Sequence, residues 1–349
     1  VHETVLPIAE HCCRLEGCLE LCGMLLQRYE EEYSRELVQR AFALIATSRY
    51  GLAEEELVRL LDVPPDEWSP FFLASRASLS NTAGLLTISN HTLGLAVQAR
   101  YLGTPNARLI AHQDLAAFFA GASGATCTRE RRCEELPFQM LMARDVEGLA
   151  RFCLDLGPLR TLLRAGRYDL LRYWRAIGEG ALPTDLGARY TAALEAYTPA
   201  LRAQVAARCG EHHNTKERAY QDELSQLCSL LGAFLCDLAY FAPACALQER
   251  ALLIDHNLFD NMSRRVAEST SFIARTRHLM GEHAAAIEKH NQALAIYTQL
   301  AQTDPQAELD AAQCLVEIAS ISRHAGCLSR AKSLCMSALR TYRRILGPG

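Results

Sequence analysis

Two stretches near the end of the chain carry one motif twice. GEHAAAIEKHNQALAIY starts at Gly281 and GCLSRAKSLCMSALRTY at Gly326, 45 residues further on. The shift lays Gly281 on Gly326, Ala286 on Ala331, Ala293 on Ala338, Leu294 on Leu339 and Tyr297 on Tyr342. A weaker copy lies 42 residues earlier, with Ala244 on Ala286 and Ala251 on Ala293, although Ala239 stands where the glycine belongs. Small residues at this spacing mark where two antiparallel helices approach closely. A unit of this size cannot bury its apolar face alone, so the copies must stack. The glycines are expected at the turn side of the first helix in each pair, where a side chain would press on the helix opposite.

The pattern resembles tetratricopeptide (TPR) repeats. The period exceeds their usual length of about 34 residues, so helices or loops must be longer, as in kinesin light chains. That resemblance implies a solenoid whose concave face takes peptides or helices of partner proteins. The packing positions are Gly281, Ala286, Ala293, Tyr297, Gly326, Ala331, Ala338 and Tyr342; the partner-contacting residues stay open.

The rest of the chain is also patterned for helix, with apolar residues returning every three or four positions. Residues 1 to 33 read as one or two helices ending near Tyr33. Ser34 caps a helix to about Thr47, Gly51 breaks it, and AEEELVRLL at 53 to 61 is a second amphipathic helix ended by Pro64-Pro65. A third helix is expected from about Pro70 to Leu79. LLTIS after Gly84 is the one convincing strand, followed by Asn90-His91 as a turn and a helix from Leu93 to Leu102. Three helices, a strand or short hairpin and a closing helix make a winged-helix arrangement. Residues 107 to 120 and 130 to 176 form short paired helices joined by GASGAT, and Pro183 and Pro199 bracket another.

The expected fold is therefore predominantly all-α. Its parts are a helical segment at 1–33, a winged-helix domain at 34–106, a helical spacer at 107–219 and TPR-like repeats at 220–349.

Composition removes several functions. With 36 basic and 40 acidic residues the formal charge is −4, which gives no global field for nucleic acid or anionic lipid. The lysines are Lys216, Lys289 and Lys332, none behind a glycine run, so a phosphate-binding loop is absent. The 14 cysteines are scattered rather than set at disulfide-framework spacings, pointing to free thiols. VHETVLPIAEHCCRLEGCLE carries acids where a signal peptide would be apolar, and no window approaches 18 uncharged apolar residues. The sequence reads as a cytoplasmic chain cut from something larger. No nucleophile elbow, HExxH or paired-cysteine site occurs, so no catalytic residues are assigned and the reading is non-enzymatic.

Three stretches carry a wider resemblance. RELVQRAFALIATSRYGLAEEELVRLL at 35 to 61 looks like the start of the winged helix behind a NACHT ATPase. DEWSPFFLASRASLSNTAGLLTISNHTLGLAVQARYL at 66 to 102 is similar to the pattern in which a leucine-rich strand leads to a histidine and a helix ending in an aromatic-Leu pair. ELPFQMLMARDVEGLARFCLDL with YDLLRYWR is like the helical spacer that precedes the repeats. Together they resemble the central and C-terminal part of a STAND-type NTPase of the NACHT class, of the nephrocystin-3-like kind with tetratricopeptide repeats.

The resemblance implies that residues 1–33 end an upstream NTPase module, with ATP or ADP a cofactor only through that module. It implies a nucleotide-sensing role for His91, which would reach a diphosphate; Thr92 stands where the family often has Asp. The alternative for His91 is a cap on the helix after the strand. The resemblance also implies a regulatory scaffold that binds proteins or peptides through the repeats, possible self-association, and ciliary placement.

Other clusters have plainer readings. Cys12, Cys13, Cys18 and Cys22, and Cys209 with His212 and His213, lack a complementary ligand set for zinc, so no metal is assigned. Arg129, Arg131, Arg132 and the series Arg160, Arg164, Arg167, Arg172, Arg175 could grip acidic surface or nucleic acid, or be a solvated, partly paired face, and Tyr173 and Trp174 read as core. A winged-helix nucleic-acid reader is the competing function, but PFFLASRASL at 70 to 79 offers only Arg76 as a base.

Overall fold

The structure is a computed structural model and describes residues 17–121, 127–209 and 213–347, with side chains at 164–167 and 213 left out. It divides into two compact units, Val1–Pro183 and Thr184–Gly349. The division falls inside the 107–219 stretch.

The first unit begins with α1 (Cys18–Glu32) and α2 (Arg35–Thr47), the latter capped by Ser34 Oγ, which accepts from Leu37 N. Gly51 turns with φ +96° and leads into β1 (Leu52–Ala53) and α3 (Glu54–Leu61). Ala53 N donates to Glu56 Oε2 at 2.9 Å at the head of α3. Asp62 ends it in the left-handed region at φ +52°.

The next helix, α4, is Pro65–Ser75, not 70 to 79. Pro65 sits at its first position, where a missing N–H costs nothing, so the proline pair starts this helix rather than only stopping the previous one. Pro70 lies inside it. A 3-10 turn (Arg76–Ser78) then gives way to β2 (Leu79–Thr82), and Leu79, read as the helix end, opens that strand. β2 and β3 (Leu85–Ile88) form an antiparallel hairpin, and β1 completes a sheet of order β1-β3-β2 with Leu52 opposite Leu86.

Helix α5 starts at His91 and runs to Tyr101 (His91–Tyr101). Its cap is Asn90, whose Oδ1 accepts from Leu93 N at 2.8 Å, so His91 is neither the cap nor part of a turn. α1 belongs to the same core: Leu26 and Tyr29 are buried with Phe42 and Phe71, and Arg100 and Tyr101 of α5 hold Glu30 of α1 at 2.6–2.7 Å. α6 (Pro105–Ala120), α7 (Arg129–Met142), α8 (Val146–Leu154) and α9 (Leu156–Ile177) complete the unit.

The second unit opens with α10 (Leu186–Arg208), which continues through Pro199 instead of ending there. Proline removes one backbone donor, and next to it the Thr198 hydroxyl donates to Leu194 O at 2.8 Å. Three antiparallel hairpins follow, α11 (His213–Asp237) with α12 (Phe241–Leu258), α13 (Arg264–Leu279) with α14 (His283–Leu300), and α15 (Pro305–His324) with α16 (Leu328–Leu346). The architecture is predominantly α-helical, with the repeats forming a TPR-like solenoid.

The repeated motif spans the turn and the second helix of each hairpin, not the first. Gly281 and Gly326 hold φ +84° and +79°, and a Cβ placed on either would meet nothing within 4 Å. They are glycines because the turn needs a left-handed residue, not because a helix lies against them. Their backbone bonds match: Gly281 N to His278 O and Glu282 N to Arg277 O, against Gly326 N to Arg323 O and Cys327 N to Ser322 O. Ala239 repeats this at φ +65°, with Ala239 N to Cys236 O and Tyr240 N to Leu235 O. Arg144 makes the same turn between α7 and α8, at φ +60°.

Candidate functional site

In the first unit, the bend at 48–51, the end of β3 and the start of α5 surround an open cavity of about 650 Å³, lined among others by Arg49, Tyr50, Ser89, Asn90, His91 and Gln98. His91 is exposed at the first position of α5. Since Asn90 caps Leu93 N, the N–H groups of His91 and Thr92 remain at the positive end of that helix. Imidazole and helix end together suit a small anion.

The neighbouring cation is already engaged. Arg49 Nη2 donates to Asp169 at 2.7 Å and Nη1 to Tyr173 Oη at 3.2 Å. Burial works most strongly against its charge, but the bond to Asp169 together with the nearby Tyr173, Asp169 and Tyr50 outweighs it, and its pKa lies above the ordinary arginine value.

Arg49 and Tyr50 are held from below by Glu135, a fully buried carboxylate on α7. It accepts from Arg49 N, Tyr50 N, Gln139 Nε2 and Arg131 Nη1 at 3.0–3.3 Å. Arg131 also clamps Glu56 and the Gly51 carbonyl, and Gln139 donates through Nε2 to Thr47 O while its Oε1 accepts from His112 Nδ1 at 2.7 Å. Sequence reasoning missed Glu135; nothing in RRCEELPF tells which of its two adjacent acids faces inward.

Arg131, taken in sequence as part of a basic patch, is thus an internal clamp with its guanidinium over Phe119. Arg132 lies over Phe152 and Arg172 over Phe138, Arg164 and Arg167 have side chains outside the described set, and Tyr173 and Trp174 are buried. On the helix that would enter a groove, α4, the first turn carries Asp66 and Glu67, and Arg76 lies beyond its end. That face repels phosphate.

Cys12, Cys13 and His212 lie outside the described residues, as does the side chain of His213. Cys18 is exposed and Cys22 half-buried, its thiol pushed up by burial and by Cys18. Among the described residues, no group of three or more His, Cys, Asp or Glu is placed to hold a metal ion.

In the second unit the motif residues meet at the helix contacts. Ala244, Ala251, Ala286 and Ala293 are fully buried, with Ala331 and Ala338 nearly so. Tyr297 is buried among Val266, Ala267, Ala307, Ala311 and Cys314, while Tyr342 is half-buried. In the weak copy Asp255 takes the place of Tyr297, fully buried and accepting from the Ser225 and Ser269 hydroxyls at 2.6 and 2.5 Å. Thr276 Oγ1 likewise donates to buried Gln248 at 2.7 Å. These polar ties within and between hairpins were not visible in the apolar register.

His290 is buried in α14 with both ring nitrogens unpaired, as is the Ser322 hydroxyl. Burial pushes the imidazole down to about 4. His278, His283 and His324 cluster at the turn ends, with His278 and His283 Nδ1 atoms 3.2 Å apart. No helix among the described residues is long and apolar enough to cross a membrane.

No family model matches the chain. It is similar to nephrocystin-3 of Homo sapiens, 24% identical over 279 residues, which covers 76% of this chain and 20% of that protein. A TPR repeat-containing protein of Dictyostelium discoideum is 26% identical over 177 residues, covering 49% of this chain and 10% of that one. The chain thus spans a fifth or less of the length of these curated relatives. Among solved structures, a Signal Transduction ATPase with Numerous Domains (STAND) protein with a tetratricopeptide repeat sensor, from Pyrococcus horikoshii, is 11% identical, covers 92% of this chain and 46% of that one, and has a TM-score of 0.31. The similarity to nephrocystin-3 and to a TPR repeat-containing protein agrees with the resemblance to a nephrocystin-3-like chain with tetratricopeptide repeats.

Proposed function

We propose that this chain is the non-catalytic regulatory and protein-interaction part of a STAND-type signalling NTPase, with residues 34–106 its winged helix and the hairpin stack its binding surface. The observation that carries the reading is the stack itself: three hairpins with one left-handed turn geometry and buried alanines at matching positions. Repeats held by neighbour contacts present extended surfaces rather than a reaction centre. Similarity to a TPR repeat-containing protein supports protein partners. By analogy with nephrocystin-3, the complex would act at a cilium.

Within that reading His91 senses nucleotide held by an NTPase module outside this chain. The support is its place at an anion-suited helix start beside an open cavity. The chain alone should neither turn over ATP nor bind it at micromolar affinity. Affinity capture with the chain as bait tests the scaffold reading, run against a variant with Ala293→Leu and Ala338→Leu. Partners captured equally by both would remove the repeats as the binding surface. The His91 role is tested by ADP titration of a protein that includes the NTPase module: His91→Ala should weaken ADP binding, and an unchanged affinity would discard that role.

The competing reading, a winged-helix nucleic-acid reader, would need bases on α4. Its acidic first turn opposes that, so DNA binding should be weak and lost with modest salt.

A further inference from the structure

A second cavity of the first unit, about 660 Å³, adjoins the one at His91 and is more apolar. Leu95, Ala99 and Leu102, on one stripe of α5, line it together with Phe138 and Met142, one turn apart on α7. Leu95 and Met142 are 46% and 45% exposed, so this is an open trough with an apolar surface in contact with water. No acidic residue lines it.

Its buried polar group is His112 on α6, 9% exposed. The Glu135 network fixes which nitrogen of that ring carries the proton. Glu135 accepts only, so the Gln139 amide turns its nitrogen to Glu135 Oε2 and Thr47 O, at 3.0 and 3.2 Å. Gln139 Oε1 then faces His112, and Nδ1 must donate to it, at 2.7 Å. In the neutral ring this leaves the lone pair on Nε2. Among the described residues no group donates to Nε2. A side chain so buried is ordinarily hydrogen-bonded, so what fills the trough must bring a donor.

Charge narrows the occupant further. Arg108, exposed on α6, lines the trough and makes no ion pair among the described residues, and the Arg172 guanidinium stands 6.0 Å from the Phe138 ring centre. A second copy would bring the same concave, basic face. Tyrosine meets the other two needs, with apolar ring faces for Leu95 and Phe138 and an O–H at its tip for Nε2. Carboxylates beside it would meet Arg108.

We infer that this trough is a docking site for an acidic segment of a partner protein that inserts a tyrosine, its ring against the α5 stripe and Phe138 and its hydroxyl donating to His112 Nε2. This goes beyond the scaffold reading, which assigns no partner to the first unit.

The test uses the full chain and a fluorescein-labelled peptide with a central tyrosine flanked by glutamates. Saturable binding is expected, weakened by about tenfold or more when phenylalanine replaces the tyrosine, and likewise by Leu95→Asp and by Arg108→Glu. With isotope-labelled histidine, the His112 Nε2 resonance should move toward its protonated value when the tyrosine peptide saturates the chain, and not with the phenylalanine peptide. Both altered side chains are exposed, so thermal melts of the variants should match the parent. Absent binding, equal binding of the two peptides, or equal binding by the parent and Leu95→Asp would overturn the inference. So would p-cresol binding as tightly as the peptide, which would make the occupant a small phenol. A concentration-dependent dimer in sedimentation velocity that Leu95→Asp abolishes would overturn it too, since the occupant would then be a second copy. Failure here with partner capture through the repeats intact would leave the scaffold reading standing.

Discussion

Ala239 holds the backbone of Gly281: φ is +65° at one and +84° at the other, and both turns close with the same pair of backbone bonds. An L-residue pays for the left-handed region with a clash between its Cβ and the following carbonyl, roughly 1 to 2 kcal/mol. Ala239→Gly should therefore stabilise the second unit by about 1 kcal/mol, and Gly326→Ala should destabilise it by a similar amount. Urea midpoints compare the two. Shifts of the same sign would mean that the turns are not equivalent.

Ala293 and Ala338 sit at the same contact in successive hairpins, each with no more than 1% of its surface exposed. Leucine at either should overpack the contact and cost about 1 to 3 kcal/mol. The damage should spread to the adjoining hairpin, because stacked repeats are stabilised by neighbours. Limited proteolysis should find residues 184–347 more sensitive and residues 35–102 unchanged. Parent-like resistance would mean that the register is wrong.

His290 should make the second unit sensitive to acid. Its folded imidazole stays neutral down to about pH 4, held there by burial, with Arg275 and His278 adding to the effect and Glu317 opposing it. The unfolded chain takes up that proton near pH 6.5. Stability is therefore whole above pH 6.5 and falls as pH drops toward 4, by an order of about 3 kcal/mol from this group alone. His278, pushed down by burial and by His283 and His324, acts in the same direction. His290→Leu should flatten the fall between pH 6.5 and 4 in denaturant titrations at fixed ionic strength.

The repeats were legible because small residues recur at fixed spacing, and Ser34 was legible because a cap shows its chemistry in one residue. Prolines misled at Pro64-Pro65 and Pro199, since the same ring can open a helix, end it or be tolerated within it. His91 drew attention that belonged partly to Asn90, whose amide does the capping. Ala239 and Arg144 gave no turn signal, because neither residue type favours the conformation it adopts. The first unit's buried carboxylate was hidden for another reason: its backbone donors come from positions more than 80 residues away.

Glu135→Ala should be among the most damaging single changes in the first unit. It leaves the half-buried Arg131 charge and the backbone donors of Arg49 and Tyr50 without their shared acceptor, at a cost of about 3 to 5 kcal/mol. Glu135→Gln keeps an acceptor and should cost less. Circular dichroism melts of the two variants rank them. Near-equal loss would mean that shape, not charge, matters at this position.

That carboxylate also sets an order of events on the ribosome. The bend at Arg49 and Tyr50 leaves the exit tunnel long before α7, and its two backbone donors have no acid to meet until Glu135 follows, with Arg131 four residues ahead of it and Gln139 four behind. A nascent chain halted before residue 135 would hold the first helices and the hairpin with their shared bend unfastened. One a few dozen residues longer, enough to carry Gln139 clear of the tunnel, would close it.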